Sequence, residues 1–478
     1  MTISINIRAG QAVNGGALGI MTAAANPWEV PDALAHDVVN RGLATYFTSP
    51  PNPIGSLSQS EILAVQTVVS TPWKRPLKPR TKGVRIFAPR TGTFVTNAAG
   101  TTFATTMASA RRFDAFQVVL HNDGASAINI DACTAAVCSG MGTESKIMGG
   151  GQSLVTVTFG GSSTGTIAAA ATNHRTYKVS DVIDTPSVEA VDRDDGGTLY
   201  LLTARHYTSQ AAATISTIGN GTDDYTNWRT AGDGRVWVSR QMNGNQTATA
   251  GTSWSTTDIS QTTIAGFIFY CEGQVVSIGV VGDSTVFGYG STNKGAGLVS
   301  WLAGQHQGVD GVAVEMINIA RTGAATDSYK YGIQDLIAGG IVPDVMLIAG
   351  GTINDGAPTL AASNIRKWRR WAAIQMGQCF DAGCLPVLMT VPPATYAAKA
   401  MGSTDALRVA HNADLLTWRG RGQPVIDLDG AIAGLPTGTG GQIEPSVAMA
   451  ADGLHPTDAA FALAGALNKI ELSALFSS

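Results

Sequence analysis

Three textures of apolar and polar spacing follow one another along the chain. Over the first 75 residues one helix-like stretch stands out, 31–42, in which Leu34, Val38 and Val39 recur at helical spacing ahead of Gly42. The proline-rich run from Ser49 to Pro53 that follows reads as a linker. From 76 to 270, short alternating runs such as 116–121, 153–159 and 197–203 are broken by Gly, Asn and Asp. Period-two alternation with frequent turns predicts a β-sandwich, jelly-roll-like in layout. From 271 to 478 the texture changes again. Apolar runs at 275–281, 314–320, 344–349, 385–391 and 425–428 predict strands, and the stretches 297–307, 328–339, 359–377, 404–418 and 457–475 predict helices. Strand–helix alternation predicts an α/β fold with a largely parallel sheet, its ligand site beyond the carboxyl ends of the strands.

Composition narrows the classes. The chain has 478 residues and a formal charge of −4, with no basic run, which argues against a nucleic-acid partner. Gly is frequent at 56 residues, which suits a turn-rich β protein, and 44% apolar content argues against disorder of the whole chain. No apolar stretch reaches the ~18 residues that would span a bilayer. Asn14, Gly15 and Gly16 interrupt any apolar core of a secretory signal near the start. Five cysteines do not make a disulfide framework, and neither Cys133/Cys138 nor Cys379/Cys384 has a histidine at zinc-finger spacing, so buried free thiols are expected.

Four polar blocks fall in loops of the α/β region. Gly282-Asp283-Ser284 follows the run 275–281, Gly323 ends the block that begins at Asn318, Gly350 to Asp355 follows the run 344–349, and Asp452-Gly453-Leu454-His455 precedes the last helix. A serine hydroxyl becomes a useful nucleophile when an imidazole takes its proton, and a carboxylate on the other ring nitrogen fixes the tautomer. An amide side chain can donate to the oxyanion that forms, as Asn354 can and an ionised Asp355 cannot. Taken singly, each block is an ordinary turn or helix cap. Their order and spacing resemble those of the SGNH hydrolase superfamily, the GDSL esterases and lipases.

The resemblance implies a flavodoxin-like, three-layer α/β/α domain. It implies Ser284 as nucleophile, His455 as general base and Asp452 as the residue orienting the imidazole. The oxyanion hole would comprise the N–H groups of Ser284 and Gly323 and the amide of Asn354, with no cofactor and no metal. One departure is an extra residue in the third block, where the family usually has Gly-x-Asn-Asp. A bulge eased by Gly350-Gly351 is expected to restore the aim of Asn354.

Residues 76–270 are similar to the β-sandwich that precedes the catalytic domain in some carbohydrate esterases, with Tyr225, Trp228, Trp237 and Trp254 as candidate sugar-stacking or core residues. Residues 1–75 loosely resemble the attachment modules of phage virion proteins. Together these imply an O-acetyl esterase acting on an acylated carbohydrate, extracellular or virion-borne. The alternatives are a virion structural or receptor-binding protein that keeps the hydrolase fold as a scaffold, and a glycosidase using Asp283 and Asp355. The histidines His36, His121, His174, His206, His306 and His411 read as core or surface residues. The acidic stretch 192–196 reads as a hairpin turn, and Trp368, Trp371, Ile365 and Ile374 as the core side of a helix with a basic outer face.

Overall fold

The computed structural model describes residues 82–88, 99–109, 111–137, 154–185, 200–210, 241–248, 262–291, 312–356, 359–394, 404–432 and 453–464, with isolated residues and strand backbone elsewhere. Thr2–Ile7 pairs antiparallel with Trp28–Pro31 and with Ala44–Tyr46. The rest of the helix expected at 31–42, the helix expected at 297–307, and Tyr225, Trp228 and Trp254 lie outside the described residues.

Between residues 80 and 272 the alternating pattern forms β1 (Arg80–Phe87), β2 (Thr101–Ser109), β3 (Phe113–Asn122), β4 (Ala132–Cys138), β5 (Thr176–Val179), β6 (Thr198–Thr208), β7 (Trp237–Asn243) and β8 (Ile264–Glu272). Strands β4, β6, β2 and β7 lie side by side in one antiparallel sheet, and β5, β3, β8 and β1 in a second array. Phe103, Met107 and Leu202 from the first share one buried cluster with Phe113, Phe116, Phe267 and Phe269 from the second. Burying each such side chain is worth about 1.5–3 kcal/mol, so this cluster is what fastens the two arrays together. Val191–Asp192 pairs antiparallel with Thr198 and Leu199, the arrangement the hairpin reading requires.

The continuous apolar runs form β9 (Val275–Val281), β10 (Ala313–Asn318), β11 (Val345–Ala349), β12 (Leu385–Met389) and β13 (Val425–Ile426), all parallel, in the order β10-β9-β11-β12-β13. That is the flavodoxin-like doubly wound order. Every residue of β9 and β11 is buried, as befits parallel strands covered on both faces. Among the described residues the α-helices are α1 (Ser284–Phe287), α2 (Thr326–Tyr329), α3 (Gly332–Ala338), α4 (Ala362–Ala382), α5 (Asp405–Thr417), α6 (Leu428–Ala433) and α7 (Asp458–Leu467). In α4, Ile365, Trp368, Ala372, Met376 and Cys379 are buried at intervals of three and four, giving one core-facing stripe.

The sheet expected to be largely parallel is mixed. β1 pairs antiparallel with β8 and parallel with β10, so β5, β3 and β8 continue the parallel array and, with the short strand Ile183–Asp184 paired to β3, ten strands form one sheet. The backbone pairing of β1 with β10 sets Ile86 and Phe87 opposite Ile317 and Asn318. Towards its start it rides over β9, where the Val84 N–H donates to Ser277 Oγ at 2.8 Å. A Cβ on Gly83 would lie 2.8 Å from Glu315 Cγ and from Val275 Cγ1, so glycine allows this crossing. Glu315 of β10 is fully buried and accepts from Arg85 Nε at 2.5 Å and from Ser109 Oγ at 2.9 Å. An edge strand needs partners for its free N–H and C=O groups, and alternation alone does not say which strand supplies them.

Candidate active site

Parallel pairing brings the carboxyl ends of β9, β10 and β11 to one edge, and three of the four polar blocks leave from there. The turn out of β9 is tight. A Cβ on Gly282 would lie 2.5 Å from Val286 Cγ2 and 2.7 Å from Ala349 Cβ, so no side chain fits. Asp283 then caps α1, its carboxylate accepting from the Thr285 N–H at 2.9 Å. Ser284 is thereby the first residue of the helix, and it is buried.

The fourth block arrives from the start of α7. His455 Nε2 lies 2.8 Å from Ser284 Oγ, and both residues are buried. With Nε2 unprotonated, the hydroxyl donates to it, which is the arrangement proton removal requires. The ring is braced by Tyr289, at 4.7 Å between centroids and 42° between planes. Gly290 makes the approach possible, since a Cβ there would lie 2.9 Å from His455 Cβ and would also press on the Pro456 carbonyl. Asp452 lies outside the described residues.

The second and third blocks are tied to the first by hydrogen bonds. The Arg321 N–H donates to the Gly282 carbonyl at 2.8 Å, and Asn318 Nδ2 to the Phe287 carbonyl at 3.3 Å. Gly323 is exposed and left-handed at φ +66°, a conformation that favours glycine. Asn354 Nδ2 donates to the Ala324 carbonyl at 3.2 Å, which sets the Asn354 amide against the Gly323 loop. Thr352 joins both ends of this system. Its hydroxyl donates to the Asp283 carboxylate and accepts from the Asn354 N–H at 3.1 Å.

The extra residue of the third block is taken up without a loose bulge. Ile353 to Asp355 form a single 3₁₀ turn capped by Thr352, and Ile353 is buried with Leu360, Ile365 and Trp368. The glycines ahead of it serve close packing rather than flexibility. A Cβ on Gly351 would lie 2.7 Å from Trp368 Cγ, and the Gly350 carbonyl accepts from His411 Nε2 at 2.9 Å. Sequence reasoning missed Thr352, Tyr289 and Gly290. A hydroxyl residue two positions before Asn354, in a helix-cap position, was the available signal for the first.

Charge in this region is held internally. Burial pushes the Asp283 carboxyl up from its ordinary value, opposed by the hydrogen bonds from Thr352 and Thr285 and by His455. Burial also holds His411 and His206 down at about 4. Asp355 is an anchor: its carboxylate accepts from Lys367 Nζ at 2.6 Å, from Trp368 Nε1 at 2.8 Å and from the Thr326 hydroxyl and N–H. With both carboxylates buried and engaged, Asp283 and Asp355 do not form the open pair a glycosidase needs.

Of the other histidines, His121 and His206 are buried on backbone carbonyls, and His174 pairs with Asp335 at 2.8 Å. His36 and His306 lie outside the described residues. Cys133, Cys271, Cys379 and Cys384 are buried free thiols, and burial raises the first two. Trp368 is core, as expected, whereas Trp371 is only half-buried and lies among cations. Among the described residues no group of three or more His, Cys, Asp or Glu could hold a metal, and no helix is long and apolar enough to cross a membrane.

No family model and no curated protein matches the chain. Solved structures similar to it include a lipase/acylhydrolase from Enterococcus faecalis, 21% identical over 40% of this chain and 92% of that one, TM-score 0.29. A psychrotrophic esterase, EstA, from a Pseudoalteromonas species is 19% identical over 41% and 96%, TM-score 0.30. A GDSL-like lipase from Bacteroides thetaiotaomicron is 16% identical over 40% and 84%, TM-score 0.30.

Proposed function

We propose that this chain is a serine ester hydrolase of the SGNH type, working through an acyl-enzyme on Ser284. The observation that carries the reading is the 2.8 Å contact between Ser284 Oγ and His455 Nε2. As Oγ attacks an ester carbonyl, His455 takes its proton and returns it to the departing alkoxide. A water then attacks the acyl carbon with His455 again as base, and the carboxylic acid and free Ser284 result. Asp452, three residues ahead of His455, is assigned to the other ring nitrogen. Negative charge on the carbonyl oxygen would be met by the N–H groups of Ser284 and Gly323 and by the Asn354 amide. In support, the amide of Asn354 rests on the Gly323 loop, and Thr352 couples it to the cap of α1.

The finer reading is that the acyl group is acetyl and its carrier a carbohydrate polymer, met outside the cell or from a virion, with residues 1–75 as the attachment segment. Hydrolysis of p-nitrophenyl acetate by the wild type and by Ser284→Ala tests the reaction, and equal rates would end it. Incubation with acetylated polysaccharides and detection of free acetate tests the substrate.

A further inference from the structure

Near the candidate active site lies a cleft of about 580 Å³, which is within the ~300–1,000 Å³ of small-ligand sites. Helix α4 lines it with Arg366, Arg370 and Trp371, and the turn between α2 and α3 with Lys330 and Tyr331. Lys330 Nζ lies 4.4 Å from the Trp371 ring centroid and 4.8 Å from that of Tyr331, and the Arg370 guanidinium lies 5.6 Å from Trp371. Asp327 on the same wall is taken up by Lys330 at 3.2 Å and Lys367 at 2.6 Å. Partial burial works against the Lys367 ammonium, but its bonds to Asp327 and Asp355 outweigh this and raise its pKa.

Arg366 and Arg370 are different. Both are exposed, and among the described residues neither has a carboxylate partner. Like charges four apart on a helix repel, and here they do so in a chain of net charge −4. Such a pair is stabilised by an anion that spans it, and a guanidinium fork suits planar or tetrahedral oxyanions. The aromatic rings are already faced by cations, so they orient charge and are poorly placed to stack a nucleobase.

We propose that this cleft binds the carboxylate or sulfate groups of an acidic saccharide polymer and so holds the ester substrate near Ser284. The proposal rests on the ester-hydrolase reading for its purpose. Its position supports it: Lys367 bridges Asp327 on the cleft wall and Asp355, which follows Asn354, while α2 begins three residues after Gly323.

The full chain carrying Ser284→Ala, which cannot turn over, is titrated calorimetrically with polygalacturonate, dextran sulfate, neutral dextran and a poly(A) homopolymer. Binding of either acidic polysaccharide, weakened by salt and reduced about tenfold or more by adding Arg366→Gln and Arg370→Gln, supports the proposal, and the polymer preferred identifies the anion. Equal binding of dextran, undiminished binding by the triple variant, or tighter binding of the RNA overturns it. Both arginines are exposed, so the circular dichroism spectrum of the variant should be unchanged. On p-nitrophenyl acetate, Arg366→Gln/Arg370→Gln with Ser284 intact should match the wild type. No hydrolysis by the wild type would sink the ester-hydrolase reading and leave the binding result to stand by itself.

Discussion

Ser284 and His455 meet at 2.8 Å although 171 positions separate them. The contact is made by two short segments leaving different elements, one from the end of β9 and one from the start of α7. Removing either side of it should abolish turnover with modest cost to the fold. Ser284→Ala and His455→Ala are expected to lower kcat/KM for p-nitrophenyl acetate by about a thousandfold or more, because groups acting as a unit fail together. Chemical denaturation of Ser284→Ala should show a loss of no more than ~1 kcal/mol, the worth of one hydrogen bond.

Asn354→Ala should separate binding from chemistry. Loss of an oxyanion donor costs roughly 2.7–4 kcal/mol of transition-state stabilisation, so kcat should fall about 100- to 1,000-fold with KM little changed. A rise in KM with unchanged kcat would show that Asn354 binds substrate without serving the transition state.

Thr352→Val keeps shape and removes the hydroxyl that links Asp283 to the Asn354 loop. The buried Asp283 carboxylate then loses a donor, for which ~1–3 kcal/mol of stability is expected to be lost. Activity should fall as well, since both ends of the site shift. Thr352→Ser should restore both, and thermal melting with steady-state kinetics reads the two effects.

Gly290→Ala places a methyl group against His455 and the Pro456 carbonyl. Displacement of the imidazole should cut kcat while leaving the far-UV spectrum intact. Full activity in this variant would mean the loop yields freely.

Acid should weaken the fold through His411. Its pKa is about 4 in the folded chain, against about 6.5 for a free imidazole, so between those values the unfolded chain binds more protons. Stability is therefore fully present above about pH 6.5 and falls as the pH drops toward 4. His411→Gln removes the titrating group, so its melting temperature should decline less over that range than that of the wild type. Scanning calorimetry at several pH values checks the difference.

The sequence was most readable where one segment carries its own instruction. The run 275–281 coincides with β9 because a mostly apolar strand flanked by glycine has few other fates, and the spacing of Ile365, Trp368, Trp371 and Ile374 marked α4 directly. Ser284, Gly323, Asn354 and His455 stand in polar loops whose order and spacing carry the family resemblance, and of these Ser284 and His455 meet at 2.8 Å. What stayed hidden depends on distant partners. Nothing local tells β1 to pair with β10, nor Thr352 to reach Asp283, nor that Ile353 would find a pocket beside Trp368. Gly350-Gly351 shows the same limit, since a glycine pair reads as freedom whether or not an indole is pressed against it.

Glu315 carries a lesson for anyone dissecting this chain. Its carboxylate sits at the heart of the α/β core, yet the groups that neutralise and solvate it, Arg85 and Ser109, come from strands encoded about two hundred residues earlier. A fragment starting near 271 would inherit an orphaned anion and a bare strand edge at Ile317, and either defect is enough to drive misfolding or aggregation. The two halves are thus expected to fold as partners, and the half that carries Ser284 is not a module that can be cut free.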